Sequence, residues 1–119
     1  MKIPVPVGHD HVEHMGSHIN ERVALIPILR SGLGLVDAML ELLPNVDIHH
    51  IGMYRPHNSN STTPVQYYNR LPRKCESDIA YVLDPVIGTA LTIMSVVGIL
   101  KKVCVFFIET NNKTLLVCV

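Results

Sequence analysis

The chain has 119 residues, room for one compact α/β domain and little more. Hydrophobic residues make up 48% and charged residues 17%, which supports a buried core and excludes wholesale disorder. Ten basic and ten acidic residues cancel. No broad basic field exists for a nucleic-acid duplex, so nucleic acid is not an expected partner and any anion must be held by local geometry.

Cys75, Cys104 and Cys118 are odd in number and form no C-x-x-C pair. Cys104 and Cys118 stand in apolar runs, where a free thiol acts as a small hydrophobe, so a reducing compartment is expected. The amino terminus shows no charged-then-apolar signal pattern, and no apolar run reaches the ~18 residues that span a bilayer. A cytoplasmic protein with no membrane partner is the expectation.

Residues 1–22 are polar, contain proline, glycine and histidine, and show neither helical nor strand periodicity; they read as an arm ahead of a domain at 23–119. Within the arm, His9, Asp10, His11, Glu13, His14 and His18 could present metal ligands at helical spacing, but Gly8, Gly16, Pro4 and Pro6 oppose the helix this needs. A polar leader is the reading taken. Val23–Leu29 is a continuous apolar run, as in a strand buried on both faces, and Pro27 within it suggests an edge or a strand end. Arg30-Ser31-Gly32 turns the chain. Leu33, Val36, Met39, Leu40 and Leu43 recur at helical spacing until Pro44-Asn45 stops them.

Asp47 to Tyr54 reads as a second strand, with His49-His50 a surface pair beside an edge and not a ligand set. The polar tract Arg55 to Thr63 reads as a loop, Pro64 to Tyr68 as extended, and Leu71-Pro72-Arg73-Lys74 as a turn. Ile79–Leu83 is a third strand. It ends on Asp84 and a small-residue loop, Pro85-Val86-Ile87-Gly88-Thr89-Ala90-Leu91-Thr92, which runs into a helical pattern from Ile93 to Lys102. Two further apolar segments, Val103–Ile108 and Leu115–Val119, read as strands split by Asn111-Asn112. This alternation predicts an α/β fold with a Rossmann-like, mostly parallel sheet and flanking helices.

In open sheets of this type, ligands bind beyond the carboxyl ends of the strands. Three predicted strands deliver Arg30, Arg55 and Asp84 there. Guanidinium forks pair with phosphate oxygens, and a carboxylate suits a ribose hydroxyl or a metal that a diphosphate carries. The loop after Asp84 has the layout of a phosphate cradle, with backbone N–H groups at a helix amino terminus facing an anion.

Ile26-Pro27-Ile28-Leu29-Arg30-Ser31-Gly32-Leu33-Gly34, Gly52-Met53-Tyr54-Arg55, Tyr67-Tyr68-Asn69-Arg70-Leu71-Pro72 and Val82-Leu83-Asp84-Pro85 resemble successive blocks of the uracil phosphoribosyltransferases. The likeness runs from Val23 to Lys102 and leaves the arm outside it. It implies a type I phosphoribosyltransferase core. It also implies transfer of ribose 5-phosphate from phosphoribosyl diphosphate to uracil, giving UMP and diphosphate, with Mg2+ as cofactor and a possible homodimer.

By the same resemblance, Arg30 and Arg55 contact phosphoribosyl diphosphate and the residues from Asp84 to Thr92 form its binding loop. Asp84 then lies near the ribose hydroxyls, and Thr89 and Thr92 near the 5-phosphate. No side-chain nucleophile or base is assigned. Where the family carries two glycines, this loop has Ala90-Leu91. A leucine at positive φ is strained, so weakened phosphate affinity and impaired transfer are expected. No counterpart of the family's uracil-recognition segment is visible before Val119. The competing expectation is a non-catalytic remnant acting as an oligomerisation or regulatory module.

Overall fold

Val23–Leu29 becomes the central strand of the molecule because nearly every residue in it is apolar and can be covered on both faces. In the computed structural model, which describes residues 2–7, 12–56, 63–73, 76–103 and 114–118, the chain opens with a hairpin. Strand β1 (Lys2–Val7) pairs antiparallel with β2 (Val12–Ser17). The expected unstructured arm is therefore a β-ribbon. Its two prolines, Pro4 and Pro6, lie in one strand of a two-stranded ribbon, where an outer edge needs no donor.

After the central strand β3 (Val23–Leu29) come a 3-10 turn over Ser31–Leu35, helix α1 (Val36–Leu42), β4 (Asp47–Ile48), β5 (Ile51–Tyr54), β6 (Val65–Asn69), β7 (Ile79–Leu83), helix α2 (Leu91–Val103) and β8 (Thr114–Cys118). The sheet order is β6-β5-β3-β7-β8, with β4 also on β3. The pairings of β3 with β4, β5 and β7, and of β7 with β8, are parallel; only β6 runs antiparallel, on β5. The expected α/β, mostly parallel sheet is present. Val103 closes α2 and does not open a strand; residues 104–113, including the rest of the expected Val103–Ile108 strand and Asn111-Asn112, lie outside the described residues. So do residues 57–62 of the polar loop. Among the described residues, no helix is long and apolar enough to cross a membrane.

Pro27 is not at an edge. It sits in the middle of β3, opposite Leu83 of β7. Its missing N–H is accommodated on the other side of the strand, where the partner is interrupted. Leu25 pairs with Ile48 and Ile28 with Ile51, so His49 and His50 fall at the level of Ile26 and Pro27. The predicted single strand Asp47 to Tyr54 is accordingly split into β4 and β5. His49 N–H still reaches the Leu25 carbonyl at 2.9 Å, and the His50 carbonyl turns outward to accept from Arg70 N–H at 3.0 Å.

The two faces of the sheet follow the period of two. Ile26 and Ile28 of β3, Ile51 and Met53 of β5, and Ala80 and Val82 of β7 form one core with Ile93, Val96 and Leu100 of α2. Leu25 and Leu83 form a second core with Val36, and Leu35, Met39 and Leu40 pack against it. Fully burying a side chain of this size contributes about 1.5–3 kcal/mol, so the two clusters fix α1 and α2 on opposite faces. At the amino end, Arg22 joins β3 to β7: its carbonyl accepts from Asp78 N–H at 2.7 Å and Ile79 N–H at 3.1 Å, and its N–H donates to Asp78 Oδ2 at 3.0 Å. The exposed Arg22–Glu76 ion pair, 3.0 Å, adds little beside these.

On the β5–β6 ribbon, a register shift at Gly52/Met53 lets Tyr67 and Tyr68 both lie against Gly52. Tyr67 also meets Tyr54 edge to face, with ring centroids 6.0 Å apart. The three tyrosines remain substantially exposed.

Gly32 is buried in the 3-10 turn, and a Cβ there would fall on the carbonyl oxygen of Leu83 and lie 3.2 Å from the Pro27 backbone. Both obstacles are main chain and cannot rotate away. Gly32→Ala is expected to lower unfolding stability by about 1–3 kcal/mol. Gly34→Ala, whose Cβ would meet nothing within 4 Å, should leave it unchanged or slightly raised. Urea melts of the two variants check this; equal midpoints would show that the turn does not pack as described.

Candidate functional site

The strand order places the reversal of winding between β3 and β7, and the crevice for ligand lies outside their carboxyl ends. Each predicted site residue arrives there from its own element. Arg30 follows β3 and caps the 3-10 turn with φ −99° and ψ −21°; the Leu29–Arg30 peptide is cis. Arg55 follows β5, and Asp84 follows β7. Asp84 is 7% exposed, whereas Arg30 and Arg55 are open to solvent.

The loop from Pro85 to Ala90 leads into α2. Ala90 is the left-handed residue, with φ 61°. Its carbonyl accepts the bond from Met94 N–H at 2.9 Å, so it stands directly before the helix. Leu91 lies inside α2, in helical conformation and half-buried. The expectation that Leu91 carries the positive-φ strain is thus corrected: the strain belongs to Ala90, one residue earlier, and its methyl group is a smaller burden than an isobutyl group. Ala90 offers no side-chain acceptor to the first-turn N–H groups of α2, and no acidic residue occupies that turn. The positive end of the helix therefore faces the loop without a competing carboxylate of its own.

Arg55 closes the loop from the other side. Its Nη2 donates to Thr89 Oγ1 at 2.9 Å and approaches Thr92 Oγ1 at 3.4 Å. Arg55, Asp84, Val86, Ile87, Gly88, Ala90, Thr92 and Ile93 line a cavity of about 20 Å³, room for roughly one water molecule. The predicted loop and Arg55 and Asp84 are brought together. Pro85, Thr89, Leu91 and Arg30 do not line this cavity. Ile93 was missed by sequence reasoning, although its place at the start of the helical stripe was the available signal.

A larger cavity, about 310 Å³, lies at the opposite, amino end of β3 between residues 17–23 and 42–46. Size alone does not make it the better site. Its basic side chains are His18 and Arg22, and Arg22 is already paired with Glu76. Phosphate chemistry belongs to the carboxyl end, where two arginines, a helix amino terminus and Asp84 converge. Of the histidine-rich segment, residues 8–11 lie outside the described residues. Among the described residues, no group of three or more His, Cys, Asp or Glu could hold a metal.

Residues 1–109 match the sequence profile of the family described as uracil phosphoribosyltransferase. The match takes in the amino-terminal hairpin, so the likeness is wider than the Val23–Lys102 stretch. A uracil phosphoribosyltransferase of Roseiflexus castenholzii is 45% identical over 87 residues, which is 73% of this chain and 41% of that protein. One of Thermosipho melanesiensis is 41% identical over 88 residues, with the same shares. The chain thus spans about two fifths of the length of these curated relatives. Among solved structures, the AQ2163 protein of Aquifex aeolicus superposes with a TM-score of 0.68 at 28% identity, covering 85% of this chain and 47% of that one. A purine phosphoribosyltransferase of Pyrococcus horikoshii gives 0.63 at 17% identity, covering 80% and 57%, and shows a shared fold.

Ala90→Gly is expected to relieve the left-handed strain and raise stability by about 1 kcal/mol. Leu91→Gly should lower it by about as much, since glycine in a helix costs ~1 kcal/mol against good helix formers. Thermal or urea melts distinguish the two; a gain from the Leu91 substitution would return the strained position to Leu91.

Proposed function

Because the chain belongs to the uracil phosphoribosyltransferase family, we propose that its carboxyl-edge site binds phosphoribosyl diphosphate and serves transfer of the ribose 5-phosphate group to uracil. The observation that carries this reading is the convergence of Arg55, Asp84 and the Gly88–Thr92 loop on one small cavity at the start of α2. The same grouping favours an enzyme over a bare oligomerisation module, which would have no need of a buried carboxylate beside a phosphate-type loop.

In this reading the 5-phosphate sits on the loop, where the α2 amino terminus and the Thr89 and Thr92 hydroxyls can donate to it. Asp84, nearly buried, accepts from the ribose hydroxyls and fixes the sugar's orientation. Arg30 and Arg55 take the diphosphate, and their charge is most effective as that group leaves and negative charge grows on it. The ribose then carries oxocarbenium character and the base nitrogen attacks. Positioning and leaving-group stabilisation account for the chemistry without a side-chain nucleophile.

Magnesium fits this donor set in a limited way. Asp84 is the one carboxylate that lines the cavity, which suits an ion held mainly by diphosphate oxygens and water, not by a protein cage. When bound, such an ion neutralises charge on the diphosphate. The reading extends to a cytoplasmic location and to pairing as a homodimer, for which the exposed Tyr54, Tyr67 and Tyr68 offer apolar surface.

Calorimetry with magnesium and phosphoribosyl diphosphate tests the proposal on the whole chain. Saturable heat is expected at submillimolar ligand, and Asp84→Asn should weaken it about 10- to 100-fold by removing the charged acceptor. Absence of heat at millimolar ligand would overturn the proposal. Formation of UMP when uracil is added tests the acceptor separately.

A further inference from the structure

The contact between Arg55 and the two loop threonines has a bearing on which phosphates the loop can accept. One guanidinium nitrogen lies 2.9 Å from Thr89 Oγ1 and 3.4 Å from Thr92 Oγ1. These hydroxyls are the side-chain donors of the cradle. The cavity that Arg55 shares with Asp84, Gly88, Ala90 and Thr92 holds about one water, not a phosphate group. An incoming phosphate must therefore turn the hydroxyls away from the guanidinium and displace it.

We propose that Arg55 is a specificity-determining stopper of the phosphate loop, which yields to ligands carrying a second anionic group and resists those that carry only one. This rests on the functional reading above. A single phosphate that enters the loop removes the two acceptors from the guanidinium and competes with it for the same space. A diphosphate, or a sugar bearing both a phosphate and a diphosphate, supplies a new bidentate partner outside the loop at the moment the threonines are lost. The arginine is then exchanged from one set of acceptors to a stronger one. Selectivity arises from the occupied resting state and not only from contacts made in the complex.

Lysine at this position keeps the charge but lacks the planar fork that spans two hydroxyls or grips two phosphate oxygens. Isothermal titration of the full chain with inorganic phosphate and, separately, with diphosphate compares the wild type with Arg55→Lys and Arg55→Ala. Arg55 is exposed, so both variants are expected to fold. The stopper predicts opposite signs in Arg55→Lys: phosphate binds about 3- to 10-fold more tightly and diphosphate about 10-fold more weakly, as expected for one or two hydrogen bonds gained or lost. Arg55→Ala should show the same divergence with a smaller gain for phosphate, since its attraction to the anion is lost. If phosphate binding weakens or stays unchanged in Arg55→Lys, Arg55 is an ordinary ligand contact and the stopper is overturned, while the loop reading stands. If neither anion binds the wild type or either variant, the loop reading fails and the stopper with it.

Discussion

The missing side chain at Gly32 sets the geometry on which the carboxyl edge of the sheet depends. The turn after β3 folds back so tightly that the Gly32 Cα lies against the Leu83 carbonyl and the Pro27 main chain. That approach brings the segment carrying Arg30 beside the end of β7, where Asp84 begins the loop. It also sets the start of α1, whose Val36 completes the core with Leu25 and Leu83. A single hydrogen in place of a methyl group thus links the central strand, the first helix and the ligand edge. At the opposite end, the bonds of Arg22 to Asp78 and Ile79 hold β3 and β7 in register, so the two strands are fixed at both extremities.

Much of this was legible in the sequence because burial and turn chemistry act locally. The run Ile79–Leu83 has one possible role, and the structure gives it the same bounds. The stripe Ile93, Val96 and Leu100 faces the core as its spacing demands. Pro27 misled for an instructive reason. A proline argues for an edge only if both neighbours need its N–H, and here one neighbour breaks its pairing at His49-His50. That break depends on a partner strand more than twenty residues away and cannot be read from Val23–Leu29 alone. The hairpin β1–β2 was obscured by prolines and histidines, since a ribbon outside the main core carries no hydrophobic period to announce it.

The candidate site shows the same division. Arg55, Asp84 and the loop could be named because a carboxylate and a small-residue turn between strand and helix have few other uses. Their mutual contacts could not. The bond from Arg55 to Thr89 joins residues whose proximity is set by the parallel pairing of β5 and β7 around β3. The conformation of Ala90-Leu91 was likewise beyond sequence pattern: which of two adjacent residues turns left-handed depends on where α2 takes its first hydrogen bond. With a balanced net charge, attraction for an anion comes from this short stretch of main chain and its neighbours, not from the surface as a whole.

Ala90 also has a kinetic meaning. An alanine held at φ 61° raises the energy of the curled loop by about 1 kcal/mol relative to a glycine. That narrows the gap to any arrangement in which the residue returns to negative φ, shifting the ratio of the two by roughly fivefold. A glycine would make the curled form easy to keep; the alanine makes it easier to leave. The substitution therefore acts less as damage to a cradle than as a bias on how often the cradle is made.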